Sequence, residues 1–115
     1  TNLDPVFLNA LHTEGPKAIA VVVDRKGSTP VKTGAIMCVN ALGQSFGTIG
    51  GGCGEHEVLR KALEVLSDKK DTFLSVDMTN DFAGEEGMVC GGTMDVIIQY
   101  VPGKVEIYPF TFPIY

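Results

Sequence analysis

Apolar residues occur along the chain in two patterns, short unbroken runs and a helical period. The run at residues 17–24 (KAIAVVVD) is small and β-branched, which is typical of a central strand covered on both faces. Similar stretches between turn residues predict further strands at 35–39, 44–49, 72–77 and 94–101. From residue 55 the spacing predicts an amphipathic helix, whose apolar face holds Val58, Leu59, Ala62, Leu63 and Leu66.

A shorter helix is predicted near the start of the chain. Asp4 suits the N-cap, Pro5 the first helical position, and Gly15-Pro16 the end of the element. Residues 25–34 are rich in turn formers and predict a loop, and residues 78–88 lack any period and predict a surface loop. These elements favour an α/β (α+β) fold, a single domain with a mixed β-sheet of about five strands and two helices packed on it.

Length and charge narrow the class of protein. The 115 residues, 44% of them hydrophobic, suffice for one domain with its own core. A net charge of -5, from 9 basic and 14 acidic residues, argues against nucleic-acid and anionic-membrane partners. No apolar run approaches the ~20 residues of a membrane span. Three cysteines make no disulfide framework and no signal peptide follows Thr1, so a cytoplasmic chain with reduced thiols is expected.

Two glycine-rich loops are the most unusual feature of the composition. Nine of the 14 glycines fall within residues 47–54 and 84–92, and each stretch also holds a cysteine, Cys53 or Cys90. In the first stretch a strand, a glycine loop and a helix start follow one another, an order whose backbone N–H groups suit a phosphate. Neither the Walker loop nor the dinucleotide fingerprint matches. A tight strand-to-helix turn without a ligand explains the glycines equally well.

The three cysteines have different surroundings. Cys53 stands where the helix is expected to start, a position that favours thiolate and suits a nucleophile, a metal ligand or a redox switch. Cys90 lies in an equally glycine-rich loop, whereas Cys38 lies inside an apolar strand and is interpreted as packing. With His56, Cys53 and Cys90 could supply three metal ligands, but a structural zinc site needs four. For a single cysteine, an inert thiol is the plainer interpretation. The presence of Cys90 in a second glycine-rich loop makes that interpretation weaker here.

Basic residues concentrate at one part of the chain. Four of the nine surround the first strand and its exit loop, namely Lys17, Arg25, Lys26 and Lys32. Such an edge beside glycine loops could receive a phosphate or an acidic partner. An ordinary solvated edge is the alternative.

Residues 104–115 form an aromatic and Pro-rich tail that we separate from a domain at 1–103. The last eight residues hold four of the nine aromatic side chains, and Pro109 and Pro113 exclude a central strand. Because an apolar tail is a liability in water, it is expected to fold back onto the domain or to meet another subunit. A linker remnant is the alternative.

Three motifs follow one another in a fixed order. They are Gly27-Ser-Thr-Pro30 with Gly34-Ala35, Gly47-Thr-Ile-Gly-Gly-Gly-Cys53 with Glu55, and Gly87-Met-Val-Cys-Gly-Gly92. Together they resemble the N-terminal domain of the xanthine dehydrogenase accessory (XdhC/CoxI) family, over roughly residues 5–101. The resemblance implies a chaperone without catalysis of its own. Such a protein binds the molybdenum cofactor as cargo and supports its sulfuration and its insertion into a molybdenum hydroxylase client.

The resemblance also implies which residues form the cofactor site. Cys53 and Cys90 are the motif cysteines, whose thiols could hold the metal end, and no other tightly bound metal is expected. Glu55 could accept hydrogen bonds from pterin N–H groups. The surrounding loops and the polar residues beside them would be Gly50, Gly51, Gly52, Gly91, Gly92, Ser28 and Lys32.

The chain departs from the family pattern at three places. Val31 and Lys32 follow Pro30 where the family usually has Arg, so Lys32 would replace that Arg only in part. Gly54 stands where a larger apolar residue is common, which is expected to loosen the first helical turn. The family usually continues into a Rossmann domain, whereas this sequence ends at Tyr115. A Rossmann-domain partner, a sulfur-donor enzyme and a homo-oligomer are therefore expected as associates.

Two other functions stay open. One is a redox or metal-binding module, in which Cys53 and Cys90 form a switchable disulfide or bind zinc. The other is a structural or oligomerising domain with the aromatic tail as its interface.

Overall fold

The computed structural model describes residues 5–50, 52–79, 82–83, 88–89 and 91–105. In chain order the elements are α1 (Pro5–His12), β1 (Lys17–Lys26), β2 (Ile36–Asn40), β3 (Ser45–Thr48), α2 (Glu55–Asp68), β4 (Thr72–Asp77), β5 (Phe82–Ala83), β6 (Met88–Val89) and β7 (Thr93–Val101). The five longer strands and both helices begin and end within two residues of the predicted positions. Asp4, the predicted N-cap, lies outside the described residues.

The five longer strands form one sheet in the order β3-β2-β1-β7-β4, with β1 in the middle. Each of its four pairings is antiparallel, so neighbouring strands run in opposite directions throughout, where a mixed sheet was expected. β5 and β6 form a separate two-stranded ribbon inside the stretch predicted to be irregular. The single domain with five main strands and two helices is confirmed.

The two helices cover opposite faces of the sheet. α2 packs on β1, β4 and β7, where Ala18, Ala20 and Val22 of β1 point into the main core. α1 packs on β2 and β3, and Ile19 and Cys38 belong to this second, smaller core. Alternate residues of β1 therefore serve different cores, as the pleat of a strand requires.

The buried face of α2 differs from the predicted one at two positions, Leu63 and Val65. Val58, Ala62 and Val65 are buried, whereas Leu63 is 43% exposed. The buried positions are spaced by four and three residues, so Leu63, placed on the apolar face from its hydrophobicity, turns toward solvent. No helix among the described residues is long and apolar enough to cross a membrane.

Two expectations about loops are wrong. β1 continues through Arg25 and Lys26, because β7 supplies pairing partners beyond a register shift between Val22 and Asp24. Met78 is fully buried rather than on a surface loop. Its N–H donates to the Gly92 carbonyl at 2.9 Å, which holds the end of β4 against the start of β7.

Lys17 corrects the predicted basic edge. Its side chain is fully buried, and Nζ donates to the carbonyls of Thr13, Gly15 and Gly103 at 2.8, 2.9 and 2.8 Å. Arg25 and Lys26 lie at the other end of the ten-residue strand, about 30 Å away along its axis. Lys17 therefore belongs to no common edge with Arg25 and Lys26, since the length of β1 separates them.

Cys38, a free and buried cysteine, yields a test of the smaller core. Burial raises the pKa of its thiol, while the charge of Lys17 opposes that rise. Because the unfolded chain ionises at a lower pH, the thiol's contribution to stability is present below about pH 8.5 and is lost as pH rises above it. Native Cys38 should react with iodoacetamide at least about 100-fold more slowly than the urea-unfolded chain, as peptide mapping would show. Equal rates would contradict a closed core.

Candidate functional site

Two of the three sequence motifs meet through their backbones. A Cβ atom added to Gly27 would lie 2.8 Å from the Gly92 Cα, and one added to Gly91 would lie 2.9 Å from the Ser28 carbonyl oxygen. No real side chain tolerates such distances, so these positions require glycine. The loop that follows β1 therefore lies directly against the residues that precede β7.

The first glycine loop joins the same region through buried side chains. A Cβ atom on Gly50 would lie 2.5 Å from Cγ2 of Val31, which is buried just after the first motif. Gly54 begins α2 with a left-handed φ of 69°, and a Cβ there would lie 2.7 Å from Cε of Met94. The helix start is thus closely packed around Gly54.

Glu55 fixes the glycine loop from inside. Its Oε2 accepts hydrogen bonds from the Thr48 hydroxyl at 2.5 Å and from the Ile49 N–H at 3.2 Å. The Gly50 N–H donates in turn to the Thr48 hydroxyl at 3.4 Å. One carboxylate oxygen therefore holds the end of β3 against the first turn of α2. The ligand contact predicted for Glu55 would compete with these bonds.

Cys53 is fully buried and disulfide-bonded, and its N–H donates to the Gly50 carbonyl at 3.3 Å. The expectation of reduced thiols throughout the chain is therefore wrong for this residue. Three cysteines cannot all be paired in disulfides, but two of them can form one disulfide bond. A sulfur in a disulfide is neither thiolate nor metal ligand, so the ligand role predicted for Cys53 concerns the reduced protein.

The remaining predicted site residues have separate positions. Ser28 and Lys32 are exposed in the loop after β1, and Gly52 is exposed in the glycine loop. Gly51 and Cys90 lie outside the described residues. Val31 fills the position after Pro30 with a buried side chain, and the Nη1 of Arg25 donates to the Thr29 carbonyl at 3.4 Å. The guanidinium beside this loop therefore comes from Arg25 in β1. The sequence motif, which usually has Arg after Pro30, does not indicate this position.

An open cleft of about 320 Å³ lies at the start of α2. Its walls are formed by Met37, Ser45, Gly52, Glu55, His56 and Leu59. Gly52 and Glu55 were predicted site residues, but Ser45 and His56 were not selected as cofactor contacts. The position of His56 next to Glu55 in the sequence could have indicated that it lines the cleft. Nothing in the sequence indicates that Ser45 faces the same cleft. Within the described ranges no three His, Cys, Asp or Glu side chains could hold a metal ion together.

These features define a class: a small α/β domain whose glycine-containing loops gather beside the start of one helix. The chain belongs to the XdhC and CoxI family, whose sequence pattern matches residues 10–77. It is 41% identical over 84 residues to the uncharacterized protein YqeB of Escherichia coli (strain K12), covering 73% of this chain and 15% of that one.

A solved structure shares the fold. It is a crystal structure described as a xanthine dehydrogenase from Bacillus halodurans, with a TM-score of 0.68 and 28% identity. The match covers 84% of this chain and 30% of the other. The chain therefore spans less than a third of the length of either relative.

Proposed function

We propose that this domain binds the molybdenum cofactor as cargo and assists the maturation of a molybdenum hydroxylase of the xanthine dehydrogenase type. Membership of the XdhC and CoxI family supports the accessory role, as does the similarity to a chain described as a xanthine dehydrogenase. The observation that carries the proposal is the backbone contact of Gly91 with Ser28 beside the glycine loop. It joins the first and third sequence motifs, and the contact of Gly50 with Val31 adds the second.

The chemistry of this region suits the phosphate and pterin parts of the cargo. Bare glycine backbone allows close approach, and the N-terminus of α2 carries a partial positive charge that favours an anion. The cleft beside it offers His56 and Ser45 as hydrogen-bonding side chains. Because the net charge of the chain is -5, binding an anion depends on these local donors.

The metal end of the cargo would require reduced cysteines. A dithiol reductant would supply two electrons and two protons to the Cys53 disulfide and would itself become a disulfide. Opening this disulfide would free the thiol of Cys53 next to the glycine backbone, where it could protect the sulfur-bound metal. Cys90, the second motif cysteine, is the other thiol that the family resemblance assigns to the metal end.

The test is retention of molybdenum. Purified full-length chain, reduced and mixed with isolated molybdenum cofactor, should retain the metal after gel filtration, as measured by plasma mass spectrometry. Cys53→Ser and Gly91→Val should retain less by about tenfold or more, which corresponds to about 1.4 kcal/mol of binding free energy. Cys38→Ala is the matched control, because it removes a sulfur on the opposite face of the sheet and should leave retention unchanged.

The outcomes separate this proposal from one alternative. A wild-type chain that retains no molybdenum would refute cofactor carriage. The disulfide-bonded state of Cys53 specifically favours a second candidate, a redox-sensing module. That candidate gains support if cofactor is not retained while the disulfide is reduced and re-formed reversibly in a glutathione titration.

A further inference from the structure

One half of a sheet face carries exposed apolar side chains. Val23, Phe73 and Ile97 are 40%, 58% and 39% exposed. Phe73 lies directly opposite Ile97 in the β4–β7 pairing, and Ile97 lies opposite Val21 in the β1–β7 pairing. Val23 lies in the register shift between Val22 and Asp24 and adjoins these residues along β1. We call the paired side chains Val21, Phe73 and Ile97 the open face.

The open face lies on the same side of the sheet as α1. α1 packs on β2 and β3 and leaves this part of the sheet uncovered. Among the described residues nothing else buries it, since Phe73 and Ile97 stay exposed. Contiguous exposed apolar side chains usually mark a contact surface. Here they continue the smaller core outward from Ile19, across β1 toward the edge strand β4.

The chain itself leads to this side of the sheet. After β7 it turns at Pro102-Gly103, and the Val105 N–H donates to the Leu11 carbonyl at 2.7 Å. Val105 also packs against the smaller core beneath α1. Residue 105 is therefore held beside the open face, on the correct side of the sheet for the ten residues that follow.

The composition of those ten residues matches the surface. One residue, Glu106, is charged, and six are large and apolar or aromatic: Ile107, Tyr108, Phe110, Phe112, Ile114 and Tyr115. An extended segment of this length reaches about 33 Å. β4 lies two strands beyond β1, about 10 Å away, so the whole open face is within reach.

We propose that residues 106–115 cover the open face and complete the smaller core. Pro109 and Pro113 lack the N–H that a strand ladder requires. The segment therefore docks through its side chains across the face and adds no strand to the free edge of β4. The interaction is intramolecular and independent of any cofactor.

A double-mutant cycle in the full-length chain tests this docking. Phe73→Ser and the combined Phe110→Ser and Phe112→Ser variant should each lower the midpoint of thermal unfolding by about 5 °C. All three substitutions together should lower it by clearly less than the sum, because both changes remove the same contact. Leu42→Ser is the matched control: Leu42 is 82% exposed in the β2–β3 turn, and its effect should add to that of the tail variant.

Two further measurements show whether residues 106–115 of the same chain or a second copy of the chain cover the open face. Nuclear Overhauser contacts between the Ile97 methyl groups and tail aromatic protons are expected, and they should persist when labelled and unlabelled chains are mixed at low concentration. Strict additivity of Phe73→Ser with the tail variant would overturn the proposal. So would a dimer in sedimentation equilibrium that dissociates on Phe73→Ser while the tail variant leaves it intact, since a second copy would then be the occupant.

Discussion

Alanine in place of Gly92 is expected to destabilise the domain by about 4 kcal/mol or more. The added Cβ would overlap the Lys26 carbonyl oxygen and lie 3.2 Å from the Gly27 Cα, and both are backbone atoms that cannot rotate away. Gly92 also has a φ of 80°, which L-residues rarely adopt. The substitution should separate the loop after β1 from the start of β7 and weaken the bond from the Met78 N–H. Urea unfolding measures the loss.

Two other glycines serve as matched controls. Gly34 has a φ of 93° but nothing within 4 Å of an added Cβ, so Gly34→Ala should cost only the left-handed penalty of about 1–2 kcal/mol. Gly103 has open space and no positive φ, and Gly103→Ala should be close to neutral. If Gly92→Ala costs no more than Gly34→Ala, the two loops are not in rigid contact.

Methionine in place of Lys17 should cost about 3 kcal/mol of folding free energy. Methionine preserves most of the side-chain volume but donates no hydrogen bonds, so the carbonyls of Thr13, Gly15 and Gly103 lose the donor they share. Burying a charge is itself costly, which reduces the net loss. Lys32→Met, at an exposed position, is the matched control and should change stability by less than about 0.5 kcal/mol.

Urea unfolding combined with limited proteolysis checks the Lys17 substitution. Cleavage should increase around residues 13–16 and 102–104, where the carbonyls lose their donor. Equal stability of Lys17→Met and wild type would mean that desolvation of the ammonium cancels its three hydrogen bonds. In that case the residue specifies the arrangement of the chain without stabilising it.

Much of the secondary structure follows from local pattern. The apolar run that begins at Lys17 predicts the central strand, and Thr72–Asp77 is predicted with its observed ends. What local pattern cannot supply is pairing between distant segments. The continuation of β1 to Lys26 depends on pairing with β7, since Lys26 pairs with Thr93, 67 residues further along the chain. The burial of Lys17 likewise depends on Gly103, 86 residues along the chain.

The candidate site divides in the same way. The glycine loops and the motif of Ser28 are visible in the sequence, because glycine at fixed spacing signals unusual backbone. Their mutual contact is not visible, since Gly27 and Gly92 meet only when β1 and β7 pair. The internal role of Glu55 is not visible either, because its bonds to Thr48 and Ile49 form only when the start of α2 packs against the end of β3.

The bonds of Lys17 join two segments that lie far apart in the sequence. One ammonium group donates to the carbonyls of Gly15, just before β1, and of Gly103, just after β7. The entry into β1 and the exit from β7 are therefore fastened by the same group, so a local opening that frees one of them frees the other as well. This corner of the sheet thereby behaves as one cooperative unit.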